Sequence, residues 1–239
     1  MLKDLLYLFF IGSILGWCLE AVYRRFCPDN KTRKWVNPGF LVGPYLPLYG
    51  FGLCVLYMLA KAEYIINPNS QVLIKLLCLL IMAICMTLLE FIAGMIFIRR
   101  MKLKLWDYSD NPFNFKGVIC LEFSVYWLIL AAVYCFLIHD YMGSLLLHLT
   151  SNQAYLFPLG FLSGIFVVDF GYTIQIASKI KRFADEHSIL IRYEELKSNI
   201  RKTAEEHKEK YSYIFAFHSR LPLNEHLKKY FDNHPRRKK

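Results

Sequence analysis

The chain has 239 residues, of which 56% are hydrophobic and only 20% charged, and its formal net charge is +10. This balance excludes an ordinary soluble domain, in which about 25% of residues are charged, and indicates a membrane protein. The positive charge is not a nucleic-acid footprint, because no basic face with base-stacking aromatics stands apart from the apolar windows; topology and attraction to anionic lipid account for it.

Five apolar windows follow one another: Leu5 to Tyr23, Phe40 to Ala60, Val72 to Ile98, Val118 to Ile138 and Tyr155 to Ala177. Each approaches or exceeds the roughly 20 residues that a helix needs to cross a hydrocarbon core. They are apolar almost all round, so they do not read as the amphipathic helices of a soluble bundle. The expected fold is therefore all-α, with a five-span membrane domain over residues 1–178 and a basic, helical cytoplasmic tail over 179–239.

The first window contains Glu20 and is followed by Arg24 and Arg25 rather than by a small-residue cleavage site, so it reads as a retained helix and not a signal peptide. Gly12, Gly16 and Glu20 recur every four residues, which gives one smooth face ending in a carboxylate. Glu20 lies four residues before Arg24, the spacing of a helical ion pair.

The second window opens within WVNPGFLVGPYLPLYGFG, residues 35–52, which holds three prolines and four glycines. Proline removes a backbone donor and clashes with the preceding turn. A break marked by Pro38, Gly39, Gly43, Pro44 and Pro47 is thus expected, with Asn37 at its edge. Irregular backbone at membrane depth is tolerated only where protein or a hydrated cavity satisfies its polar groups. The stretch reads as an irregular wall at the cytoplasmic end of the second span.

The third window carries Glu90, nine residues before Arg99, and the fifth carries Asp169, ten before Lys179. At 1.5 Å rise per residue these acids sit roughly 14–15 Å inside the basic boundary. Carboxylates at such depth mark a functional site by default, against the alternative of a neutral acid bonded to a neighbouring helix. Glu122, six residues past Lys116, reaches the interface. Between the third and fourth windows, WDYSDNPFNFKG supplies Asp107 and a run of turn-forming residues. Trp17, Trp35, Trp106 and Trp127 read as an interfacial belt. Gly160 and Gly164 form a small-xxx-small pattern suited to close helix approach.

Beyond Lys179 the composition changes, and Ile189, Tyr193, Leu196 and Ile200 give a helical stripe. Tyr211 to Phe217 is a second apolar patch, and Arg236, Arg237, Lys238 and Lys239 close the chain. Of the 29 basic residues, 26 fall in segments 24–36, 99–117 and 179–239. The positive-inside rule makes that side cytoplasmic, with the N-terminus outside and the tail inside. The seven cysteines contain no CxxC pair and read as small apolar packing residues, so no disulfide framework or metal site is expected. Phosphate-loop, HExxH, GxSxG and dinucleotide motifs are lacking, which argues against a cofactor and weighs against an enzyme.

The blocks FIGSILGWCLEAVYRR, WVNPGFLVGPYLPLYGFG, LLEFIAGMIFIRR and LWDYSDNPFNFKGVICLEFSVYW occur in that order over the first 175 residues. In this order they resemble the family of small bacterial membrane proteins known as putative ABC-transporter type IV, or putative ABC-transporter permease. The resemblance implies a multi-pass protein of the bacterial cytoplasmic membrane and a permease half; such a permease is expected to work with a separate ATPase subunit and, because five spans are few for a pathway, as a homo-oligomer or with a partner subunit. Glu20, Asn37, Glu90, Asp107, Glu122 and Asp169 are the candidates for an acidic polar cavity open to the cytoplasm. Two competing expectations are an embedded enzyme acting on lipid or isoprenoid, and a regulatory scaffold whose business is its tail.

Overall fold

The computed structural model describes residues 2–27, 30, 33, 35–66, 71–206 and 221–233. Lys31 and Lys34 of the first basic segment, the apolar patch Tyr211 to Phe217 and the terminal Arg236 to Lys239 lie outside the described residues.

The chain is all-α, and among the described residues five helices are long and apolar enough to cross a membrane: Leu2–Phe26, Pro47–Ile66, Val72–Met101, Leu121–Ser151 and Gln153–Glu186. The first three are α1, α2 and α3. The fourth is compound: α4 (Leu121–Val133), a π-helical turn (Tyr134–Ile138) and α5 (His139–Ser151). The fifth begins with a 3-10 turn, Gln153–Tyr155, capped by the Asn152 side chain, and continues as α6 (Leu156–Glu186). The boundaries follow ordinary end chemistry. Asp4 sits in the first turn of α1 and Arg24 and Arg25 in its last, as the helix dipole favours.

Pro47 was expected to break the second span; instead it is the first residue of α2. At that position the missing N–H has no intrahelical partner to lose, and the fixed φ suits helix entry. The span is accordingly Pro47–Ile66 rather than Phe40 to Ala60, and residues 38–46 are irregular. The fourth span likewise runs on to Ser151, well past Ile138. The tail stripe is also shorter than expected. The helix α6 stops at Glu186, Ile189 lies in the connection, and a new helix, α7 (Tyr193–Glu206), starts after a two-residue strand. That strand, β2 (Ile191–Arg192), pairs in parallel with β1 (Leu103–Lys104). A last helix, α8 (Leu223–Asn233), follows Pro222.

The residues group into two compact units. The first comprises residues 1–17, 45–93 and 108–166, and the second 18–44, 94–107 and 167–239.

In the first unit, glycine governs the packing of α1 on α2. A Cβ on Gly50 would lie 2.2 Å from Ser13 Oγ and 2.5 Å from the Phe9 carbonyl, and one on Gly16 would lie 2.2 Å from Tyr49 Cγ. Only hydrogen fits there, and the Leu46 N–H donates to the Ser13 carbonyl at 2.9 Å to seat the entry to α2. By contrast, nothing lies within 4 Å of a Cβ built on Gly160 or Gly164, so this pair does not serve helix approach among the described residues of the chain.

The core of the second unit joins the end of α6 to the tail. Ile176, Ile180 and Phe183 pack with Leu103, Ile191, Tyr193, Leu196, Ile200, Leu227 and Tyr230. The tail stripe thus buries Tyr193, Leu196 and Ile200 against protein.

Candidate functional site

In the second unit, the broken stretch is held by side chains that satisfy its backbone. Asn37 organises it locally: its Oδ1 accepts from the Gly39 N–H at 3.0 Å, and its Nδ2 donates to the carbonyls of Leu41 and Val42, each at 3.2 Å. Proline 38 leaves no amide at that position, so the asparagine bridges the gap.

The next donors reach across the sequence. The amides of Val42 and Gly43 donate to the two carboxylate oxygens of Asp169 on α6, at 3.1 and 2.8 Å, and Thr173 Oγ1 donates to the same group at 3.2 Å. From α7, the Tyr193 hydroxyl donates to the Gly39 carbonyl at 3.1 Å. Lys197, 1% exposed, directs its ammonium at the carbonyls of Asn37 and Gly39. The arrangement answers the accounting problem set by the prolines and glycines: donors of the stretch go to an anion and acceptors to a cation and a phenol.

Burial pushes the Lys197 ammonium down to about 7, with Glu194 opposing the shift and Arg24 and Arg201 adding to it. Burial alone would raise the neighbouring Glu194 carboxyl, but Arg24, Lys197 and Arg201 hold it below the usual range. Arg24 links the two helices, bonding Glu20 at 3.0 Å and Glu194 at 2.8 Å. Glu20 therefore makes the helical pair its spacing predicts, extended by a tail carboxylate. Asp107 pairs with Lys104 at 2.6 Å and with Arg192 at 3.2 Å, which fastens the loop after α3 to β2.

Glu90, in the first unit, is 3% exposed and accepts from the Trp127 indole N–H at 2.9 Å and the Tyr108 hydroxyl at 3.1 Å. Tyr108 is stacked on Phe123, with centroids 4.3 Å apart. Trp127, expected in the interfacial belt, is instead a buried donor; Trp35 is the one of these two that stays exposed, beneath the Arg25 guanidinium. Glu122 takes the Asn111 amide at 3.0 Å and the Tyr126 hydroxyl at 3.1 Å in an exposed setting at the start of α4.

The candidate residues thus divide. Glu90 and Glu122 belong to the first unit, and Glu20, Asn37, Asp107 and Asp169 to the second. Asn37 and Asp169 meet at one feature, the broken stretch. Sequence reading missed Lys197 and placed Tyr193 only in an apolar stripe, not as a source of backbone partners. It also missed Tyr108 and Trp127, which registered as loop and belt. Among the described residues, no three histidine, cysteine, aspartate or glutamate side chains form a set that could hold a metal ion.

A family model described as Putative ABC-transporter type IV matches residues 7–174. The chain belongs to that family. The part that matches this ABC-transporter type IV model includes Asn37, Glu90 and Asp169, while Tyr193 and Lys197 lie beyond it. No solved structure matches the chain.

Proposed function

We propose that this family member is the permease-like component of a membrane transporter, in which the broken stretch ahead of α2 is the moving element. The observation that carries this reading is the pair of amide bonds from Val42 and Gly43 to Asp169. Irregular backbone at the entry to a span, with its polar groups met by a charged side chain, supports this reading, because transporters line polar sites with non-helical backbone whose groups are satisfied by protein or a hydrated cavity. Such contacts have alternative partners in water or a substrate, so the stretch has two available states.

In this reading the basic segments face the bacterial cytoplasm, the polar cavity around Asn37 and Asp169 opens to that side, and energy comes from a separate ATPase subunit. A second copy of the chain completes the pathway. Purification in mild detergent tests the partners: recovery of an ATPase or of a dimer supports the reading, and a monomer free of any ATPase refutes it.

A second reading, regulation by the tail, is favoured by one specific contact set, that of Tyr193 and Lys197 with the carbonyls of Asn37 and Gly39. Here the tail governs whether the stretch is free. Removing residues 180–239 would then change activity more than Asp169→Asn does, and the opposite ranking favours the permease reading alone.

A further inference from the structure

The first unit contains a cleft of about 130 Å³ at the end where α2 finishes and α3 begins. Its walls include Glu63 of α2, Lys75 and Cys78 of α3, and Cys135, His139 and Asp140 around the π-helical turn. None of these residues belongs to the acid set considered above, and the proposal goes beyond the transport reading because binding here is independent of translocation.

Three observations define the cleft. First, it contains both signs of charge, yet Lys75 makes no ion pair among the described residues; its ammonium rests over the Phe136 ring, 4.9 Å from the centroid. The Asp140 carboxylate likewise has no side-chain partner among them. Second, the π-helical turn adds a residue to the helix just before His139, which resets the direction in which His139 and Asp140 point. Such turns are rare, and they recur at functional sites. Third, the buried Tyr134 hydroxyl lies 3.1 Å from His139 Nδ1, so the ring is fixed and Nε2 remains for the cleft.

Charge selects the ligand. A simple anion drawn to Lys75 would meet Glu63 and Asp140, and a simple cation drawn to the acids would meet Lys75. A molecule carrying both charges suits both walls. Volume limits its size, since a cavity of about 150 Å³ accepts a benzene-sized ligand, so the cleft holds about six non-hydrogen atoms. We propose that this cleft is a binding site for a small zwitterionic amino compound, its carboxylate on Lys75 and His139 and its ammonium on Asp140 and Glu63.

The test is equilibrium binding of L-alanine, propionate and ethylamine to the purified full chain in detergent at neutral pH. Alanine is expected to bind at least tenfold more tightly than either single-charge compound. Lys75→Met and Asp140→Asn should each weaken it at least tenfold while the unfolding temperature stays at the parent value. If a variant is unstable, competition between alanine and each fragment on the unaltered protein gives the same ranking. Absence of alanine binding, equal binding of either fragment, or unchanged affinity in both variants overturns the proposal. Uptake into proteoliposomes, measured separately, tells the two readings apart: alanine bound but not transported keeps this site and rejects it as a transport site.

Discussion

Replacing Asp169 with asparagine isolates the contact on which the transport reading rests. The carboxylate gives one oxygen to the Val42 amide and the other to the Gly43 amide. Asparagine retains a single oxygen and presents an NH2 group where the second acceptor stood, so one amide loses its partner and faces another donor. Hydrogen bonds to charged groups contribute about 1.5–3 kcal/mol, and an orphaned buried donor costs about 1–3 kcal/mol. Asp169 is half-buried, which places the net loss near the low end, about 2 kcal/mol. Because about 1.4 kcal/mol is a factor of ten, exchange of the Val42 and Gly43 amides should accelerate roughly 30-fold. Hydrogen exchange with mass spectrometry on peptides spanning residues 38–46, in detergent, reads this directly. Residues 72–93 of α3, which belong to the first unit, serve as the internal control. Unchanged exchange at Val42 and Gly43 in the Asp169→Asn protein would refute the reasoning.

Glu90→Gln should lower stability by about 1–3 kcal/mol, because one of the donors Tyr108 and Trp127 then faces an amide NH2; thermal unfolding in detergent checks it, and Tyr108→Phe made on that background should add little. Gly50→Ala is expected to cost about 1–3 kcal/mol by overpacking against Ser13 and Phe9, whereas Gly160→Ala should leave the unfolding temperature unchanged. The Lys197 ammonium titrates at about 7 when the tail is docked, below the ordinary lysine value that it recovers on undocking. The undocked tail therefore binds more protons between those values, so docking strengthens as pH rises from about 7 toward 10, by at most about 1.4 kcal/mol per unit, and is flat below 7. Exchange protection of residues 193–200 measured across that range should follow this slope, and Lys197→Met should abolish it.

Much of the architecture was legible because hydrophobic run length is a direct readout of the bilayer. The five windows became five helices, and the prolines and glycines of residues 35–46 became irregular backbone. The Glu20–Arg24 pair was legible too, since four residues fix a helical neighbour. Pro47 was misread because the same residue that breaks a helix interior also begins one, and only the partner of the Leu46 amide decides between them. Trp127 was misread because a tryptophan near a span end satisfies its N–H equally well at a headgroup or on a buried carboxylate. The partners of the broken stretch were illegible for a different reason. Asp169 and Lys197 stand 127 and 160 residues from the groups they bind, and nothing local in the sequence encodes such a meeting.

That separation has a consequence for biogenesis. At synthesis rates of about 5–20 residues per second, Lys197 leaves the ribosome roughly 8–30 s after Asn37. The amides of Val42 and Gly43 wait roughly 6–25 s for Asp169, and the carbonyls of Asn37 and Gly39 wait longer, until Tyr193 and Lys197 emerge. The second span must therefore be inserted with its entry provisionally solvated or chaperoned. A nascent chain halted before Tyr193 would hold all five spans while its first irregular segment stayed unsealed. Maturation of the N-terminal third is in this sense completed by the last quarter of the chain.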